Sequence, residues 1–335
     1  MFTYTLRRLL LAIPTIFFIA LIIFLLLELS PGDPLADQPL TIPPEVREQM
    51  RRALGMGGPW HERFLRWLYL FAVVEPSHVL ASFTGWDVAI DSPRILSWQS
   101  RAPVGELIAQ RLPQTLWVVG MAYLLGILVA VPIGVYSAYR QYSWFDQLGS
   151  FVSMVGFSLP TFFTGPVLIL IFAVWLGWFP MIYDTTLVVD SWASFGQQLR
   201  QMAMPVFVLT LYNAAQISRF MRAAMLDNLG QDYVRTARAK GLSERVVVHL
   251  HVLRNSLIPV VTVIALGIPT VFTGAIITET IFRVNGLGQM FILAINGSDI
   301  PMVLTLSVVF AILIVLFNLI ADLLYAILDP RIRYD

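Results

Sequence analysis

The sequence contains no cysteine. That excludes disulfides, thiolate nucleophiles and cysteine metal sites, and it is compatible with either side of a membrane. Charge is scarce too: 13% of the 335 residues are Asp, Glu, Lys or Arg, about half the usual share of a soluble protein. The four histidines, His61, His78, His249 and His251, are too few to build a metal site without cysteine. A net charge of +1 says little, because it averages over compartments. What the chain has in excess is apolar residue, 57% of the total, with a mean hydropathy of +0.74. A soluble domain of this composition could not cover itself with polar surface.

Six uncharged or nearly uncharged windows are long enough to cross a bilayer: Leu9–Leu27, Leu112–Tyr139, Gln147–Tyr183, Gln201–Ser218, Asn255–Thr278 and Met302–Ala321. The third is too long for one straight span, so part of it is expected to be loop or tilted helix. The fourth is marginal, and its helix is expected to continue past Arg219 and Arg222. A secretory chain with one greasy signal is excluded by the five later windows, and the first run lacks a clean small-residue cleavage site. The expected fold class is therefore an all-α polytopic membrane protein.

Basic residues set the orientation. Arg7 and Arg8 precede the first window, Arg140 follows the second, and Arg331 and Arg333 follow the sixth. Arg219, Arg222, Arg235, Arg238, Lys240, Arg245 and Arg254 gather between the fourth and fifth. With six spans all of these share one side, and the positive-inside bias places both termini in the cytoplasm. The stretch 31–110 is then external. Within it, PEVREQMRRALG has helical spacing, and WHERFLRWLYLFAVV puts Phe64, Trp67, Leu68 and Phe71 on one stripe. Arg63 and Arg66 make the second piece an interfacial or packed helix and not a seventh span. The Pro-, Gly- and Ser-rich piece from Glu75 to Pro103 is expected to be mostly loop.

Prolines and glycines interrupt the windows at Pro132, Gly134, Pro160, Gly165, Pro166, Pro205, Pro259, Gly267, Pro269 and Gly274. Each proline is a candidate kink, and broken helices can line a path. Polar or small residues beside the breaks are candidate path-lining positions: Ser158, Thr161, Asn213, Gln216, Thr270 and Thr273. The same residue types also bridge helices without touching any solute. Glu279 is a candidate for a structural or gating role near the external mouth. Glu28 and Asp322 are weaker candidates, and Arg219 and Arg222 could pair with Asp227 or with a partner.

The most informative stretch is DYVRTARAKGLSERVVVHLHVLRNS, residues 232–256. Residues 232–240 are expected to form one or two helical turns ended by Gly241, and Ser243 can cap a second helix from Glu244. Val246, Val247, Val248 and Leu250 make that second helix partly apolar, so a short amphipathic helix and then a turn into the next span are expected. Topology alone explains the bases. It does not explain the small residues Thr236, Ala237, Ala239 and Gly241, which permit close approach of a partner surface.

RTARAKG at Arg235–Gly241, followed by HVLRNSLIPV at His251–Val260, resembles the Glu-Ala-Ala loop of the inner-membrane permeases of binding-protein-dependent ABC importers, of the oligopeptide, dipeptide and nickel class. The Glu-Ala-Ala start reads Arg235-Thr236-Ala237, a departure usual in the peptide class, and Arg254 stands where other permeases often have proline. RRLLLAIPT and LSPGDP at the amino end resemble the first-permease type. ALG at Ala53–Gly55, RLPQTL at Arg111–Leu116, GFSLPTFFTG at Gly156–Gly165, ITETIFRVNGLG at Ile277–Gly288 and LLYAILDPRIR at Leu323–Arg333 extend the match over most of the chain. Asn285 replaces the proline of the family's PGLG turn, and the stretch 75–101 is lengthened.

The resemblance implies six transmembrane helices of the type I ABC importer permease fold with an extended external segment after the first. Its divisions are 1–30, the cytoplasmic amino end and first helix; 31–110, the external segment; 111–325, the core transport domain with a coupling helix at 232–249; and 326–335, a cytoplasmic tail. It implies a multi-pass bacterial inner-membrane protein. The expected partners are a homologous second permease, two ATPase subunits or one ATPase dimer, an external solute-binding protein and the lipid bilayer, with no nucleic acid. The ATPase-coupling residues would be Asp232, Tyr233, Arg235, Thr236, Ala237, Arg238, Ala239, Lys240, Gly241, Leu242, Ser243, Arg245, His251, Arg254 and Asn255. The chain itself would not be an enzyme and would hold no cofactor, ATP and Mg belonging to the partner subunits; it carries no GxxxxGK[ST] loop.

Peptides are the leading cargo. Nickel chelates, opines or other small solutes carried by the same machinery are the alternative, and a nickel chelate would arrive already bound to the external protein. An ion-coupled secondary transporter would need a coupling site near mid-membrane, and no span has an acid there. A membrane enzyme would need catalytic residues converging on one pocket, which scattered histidines do not supply.

Overall fold

The computed structural model describes residues 2–29, 43, 45–46, 49, 56–86, 91–273 and 275–328. The helices are α1 (Phe2–Leu29), α2 (60–84), α3 (Val104–Tyr139), α4 (Trp144–Ser158), α5 (Thr161–Trp175), α6 (Trp192–Leu229), α7 (Asp232–Ala239), α8 (244–273), α9 (Ile276–Phe282), α10 (Leu287–Asn296) and α11 (Ile300–Leu328). The architecture is all-α and polytopic.

By length and composition four helical segments among the described residues can cross a bilayer: Thr5–Leu29, Val104–Tyr139, Glu244–Pro269 and Ile300–Leu323. A fifth arises if α4 and α5, bent by 102° at Leu159–Pro160, count as one broken span. The third window thus resolves into two helices, because Pro160 has no N–H to continue the ladder. The fourth window lies within α6, whose 38 residues carry four glutamines and two asparagines. Gln198 and Gln201 are buried, so its polarity faces inward and masks it as an apolar segment.

The chain divides into two compact units, Met1–Arg8 with Gln114–Gln289 and Leu313–Asp335, and Leu9–Pro113 with Met290–Ile312. In the second, the expected stripe is buried at Phe64 and Trp67 and half-buried at Leu68 and Phe71: Phe64 packs on Phe17 and Phe24, and Trp67 stacks between Phe64 and Phe71. The indole N–H of Trp67 donates to Thr305 Oγ1 at 3.3 Å. Glu28 is ion-paired with Arg63, which gives it a structural partner in place of a solute. The expected loop after Glu75 is helical as far as Thr84. Wide π-type turns at Leu70–Val74 precede Pro76, and shifting the bonding register there accommodates the missing donor.

Two buried carboxylates organise the rest of this unit. Glu75 accepts from Arg94 Nη2 at 2.8 Å and from the Ile95 amide at 3.1 Å. Burial alone would lower the pKa of Arg94, but its bonds to Glu75 and Glu106 outweigh that and raise it. Asp299 accepts from Ser97 Oγ, from the amides of Trp98 at 3.0 Å and Gln99 at 3.3 Å, and from Met302 N at 3.3 Å, capping α11. PEVREQMRRALG lies largely outside the described residues.

In the first unit α3 packs lengthwise on α6. Gly126, Ala130 and Gly134 recur every fourth residue, so they form one stripe on α3. A Cβ at Gly134 would sit 2.6 Å from Met221 Cβ and 2.7 Å from the Ser218 carbonyl, and one at Gly126 2.9 Å from Asn213 Cβ. Small residues thus let two backbones meet, the usual way of packing helices where lipid removes the hydrophobic drive. Asp146, capped onto α4 by Ser143, holds Arg222 of α6 through two bonds at 2.7 and 2.8 Å. Arg222 therefore pairs with Asp146 and not with Asp227. Asp322 pairs with Arg8 at 2.7 Å.

Candidate functional site

The charged stretch forms α7, a tight turn, and the start of α8. The turn follows from Gly241, whose φ of +78° is left-handed and costs glycine little. With it, Gly241 N bonds to the Arg238 carbonyl at 2.9 Å and Leu242 N to the Ala237 carbonyl at 3.4 Å, the paired bonds that close a helix in a Schellman turn. Ser243 precedes the first residue of the next helix, as expected, but its side chain makes no capping bond.

Two expectations for this stretch are corrected. Ala237 does not face outward. It is 5% exposed and, with Val234 at 0%, packs on Met221, Met225, Val247 and Val252 of the chain's own core. A helix of eight residues has an inner face as well as an outer one, and position i+3 from Val234 shares it. The second helix is also not a separate surface piece followed by a turn. It continues through wide turns at Val247–Leu253 into Arg254–Thr273, because no residue between Glu244 and Asn255 breaks it.

The outer face of α7 and its turn exposes Asp232, Tyr233, Arg235, Thr236, Arg238, Ala239, Lys240, Gly241, Leu242, Ser243 and Arg245. Arg238 pairs with Glu244 at 2.8 Å and Arg235 with Asp232 at 3.4 Å. Among the described residues Lys240, Arg245 and Arg254 have no acidic partner. Asn255 donates to the His251 carbonyl at 3.0 Å and His249 Nδ1 lies 2.9 Å from the Arg245 carbonyl. Both are local helix contacts. Among the described residues no cluster of His, Asp and Glu is placed to hold a metal.

A cavity of about 860 Å³ opens in the first unit. Ser158, Thr161, Asn213 and Gln216 all line it. Pro160 brings the first two there, by ending α4 and starting α5 at the bend. Asn213 and Gln216 are three apart on α6 and share a face. The side chains of Thr270 and Thr273 lie outside the described residues. The aromatic share of the wall was not anticipated: Tyr123, Phe157, Phe162, Tyr212 and Phe220 line it as well, with Phe157 and Tyr212 stacked at 5.9 Å between ring centroids. The available signal was Tyr212 and Phe220 flanking the two amides at helical spacing. Among the described residues no lining residue is charged.

Glu279 lies elsewhere, fully buried. It accepts from Thr115 Oγ1 at 2.9 Å, Gly288 N at 2.7 Å and Gln289 N at 3.1 Å, and Thr115 Oγ1 in turn accepts from Leu287 N at 2.8 Å. A Cβ on Gly286 would fall 2.4 Å from both carboxylate oxygens. The turn after α9 thus forms around the carboxylate, with Asn285 in the place of a proline. Thr115 was not anticipated as its partner.

Residues 130–334 match the family described as the binding-protein-dependent transport system inner membrane component, and residues 1–119 match the N-terminal part of such membrane components. The chain belongs to this family. As an inner membrane component of a binding-protein-dependent system, it is the permease, working with an external binding protein and with ATPase subunits on which hydrolysis occurs. It is 36% identical to the oligopeptide transport system permease protein AppB of Bacillus subtilis, over 100% of both chains. The same identity and coverage hold for the glutathione transport system permease protein GsiC of Salmonella typhimurium. The Escherichia coli K12 protein of that name is 34% identical over 100% of both chains.

Proposed function

We propose that this permease forms half of a transmembrane path for peptides. The observation that carries the cargo class is the full-length likeness to an oligopeptide permease and to glutathione permeases, with no part of the chain left over. The cavity supports it. Amide and hydroxyl side chains can bond a peptide backbone, aromatic walls accept varied side chains, and the absence of charge among the described lining residues leaves selection among cargo side chains to the binding protein. Ser158, Thr161, Asn213 and Gln216 are the proposed path-lining residues.

In this reading the complex contains a homologous second permease and two ATPase subunits or one ATPase dimer. The six spans are α1, α3, the broken pair α4–α5, α6, α8 and α11. Both termini and the 226–254 region face the cytoplasm and 31–110 is external, supported by the distribution of Arg and Lys. The core domain is 111–325. The segment 232–249 couples to the ATPase, supported by its exposed outer face and the cations Lys240 and Arg245, which have no acidic partner among the described residues. Ala237 and Val234 act from within, by seating α7 on α8. Glu279 holds the turn at the outer mouth.

The test is ATP-driven uptake of a labelled tripeptide by the assembled importer in vesicles, with the binding protein supplied. Peptide uptake that falls several-fold in Asn213→Leu and Gln216→Leu is expected. Uptake of a nickel chelate or opine with none of peptide would overturn the cargo assignment. Peptide uptake indifferent to both substitutions would overturn the path.

A further inference from the structure

Arg219 is a cation set beside an uncharged cavity. It lies three residues beyond Gln216 on α6, so about 4.5 Å further along the axis, on the side leading to the charged turn. Its guanidinium carbon stands 4.4 Å from the centroid of the Phe157 ring, close enough for a cation–π contact. Phe157 itself lines the cavity and stacks on Tyr212, another lining residue. Arg219 is exposed and has no acidic partner among the described residues. Its neighbour Arg222, one turn on, is neutralised by Asp146. Among the described residues Arg219 thus keeps a positive charge without an acidic partner beside the cavity, held in place by a ring that belongs to the wall.

We infer that Arg219 is a specificity-determining residue that receives the carboxylate end of the cargo as it leaves the cavity. This rests on the peptide reading above. A peptide has a carboxyl end ionised at neutral pH, and none of the lining residues can pair with it. A guanidinium offers a planar pair of donors matched to a carboxylate, and Phe157 covers the guanidinium face, leaving its edge for hydrogen bonds. Phe157 is then a positioning residue for that charge as well as part of the wall.

The experiment compares uptake of one labelled tripeptide as free acid and as carboxy-terminal amide by the assembled importer in vesicles. The acid-to-amide uptake ratio is referred to that of the unaltered complex, which cancels any preference of the binding protein. Arg219→Gln is expected to lower the ratio about fivefold, the size of one partly exposed charge-assisted contact. Arg219→Lys is expected to restore most of it, and Phe157→Leu, which keeps the charge but removes the ring, to lower it less. An unchanged ratio in both Arg219→Gln and Phe157→Leu overturns the assignment. So does an equal loss of acid and amide uptake, the result expected if Arg219 merely anchors α6 at lipid phosphates. If the unaltered complex takes up neither peptide while importing another solute, the cargo class itself is wrong, and this inference falls with it.

Discussion

Removing the Glu279 carboxylate should unseat the turn between α9 and α10. The carboxylate accepts bonds from a hydroxyl and two main-chain amides at 2.7 to 3.1 Å, and the side chain has no exposure to water. A hydrogen bond to a charged acceptor is worth about 1.5–3 kcal/mol, and a buried donor left without a partner costs about 1–3 kcal/mol. The values do not add, and solvent can reach Gln289 more easily than Gly288. Glu279→Ala should therefore cost about 3–5 kcal/mol, including the cavity it leaves. Glu279→Gln keeps one oxygen for the two amides and turns its own NH2 toward Thr115 Oγ1, so about 1–2 kcal/mol is expected. Thr115→Val strands the Leu287 amide, 2.8 Å from the hydroxyl, and should fall between these. Equilibrium unfolding in mixed detergent micelles, read by circular dichroism, gives the three values. A double-mutant cycle of Glu279→Ala with Thr115→Val should show coupling above about 0.5 kcal/mol. If Glu279→Ala unfolds within about 0.5 kcal/mol of the unaltered protein, or Gln proves worse than Ala, the carboxylate does not hold the turn.

Other outcomes follow from separate parts of the molecule. Gly241→Leu meets no atom within 4 Å but must hold φ at +78°, costing about 1–2 kcal/mol locally; ATPase co-purification or coupling should weaken, and normal values of both would remove the turn from the coupling segment. Ala237→Trp should instead destabilise the permease itself, because Ala237 is buried in the chain's own core, so loss of ATPase binding with unchanged unfolding would contradict the inward placement. Asp146→Asn leaves Arg222 without its carboxylate and should cost about 2 kcal/mol in the same micelle assay, while the added Arg222→Gln should cost less than the sum of the two changes; strict additivity would mean that the pair contributes nothing. A single probe cysteine at Ser243→Cys meets no background in a chain without cysteine; labelling by an impermeant reagent in intact cells would reverse the proposed orientation.

Sequence alone determined the class of this protein and its punctuation. Apolar windows separated by basic loops specify a polytopic helical chain, since only closed hydrogen-bonding within each segment is tolerated in lipid. Pro160 and Gly241 act through their own backbones, so the bend in the third window and the end of α7 could be placed from single residues. The motifs around Gly241 and Gly286 were readable for the same reason, because their patterns are local. Tertiary structure decided which face of each helix meets another. Ala237, outside the spans, read as an outward contact because a small side chain suits a partner surface as well as the chain's own core, where it packs. In a membrane, lipid-facing and core-facing positions are both apolar, so no amphipathic stripe marks the rotation of a helix as it does in water. That is why Arg222 found Asp146 from another helix and not its near neighbour Asp227. It is also why Ser158 and Thr161 at one bend could not be joined to Asn213 and Gln216 until α4, α5 and α6 were seen to enclose one cavity. The Glu279 knot is long-range in the same way: Thr115 supplies the hydroxyl from α3, and only the folded chain brings it to the turn beyond α9.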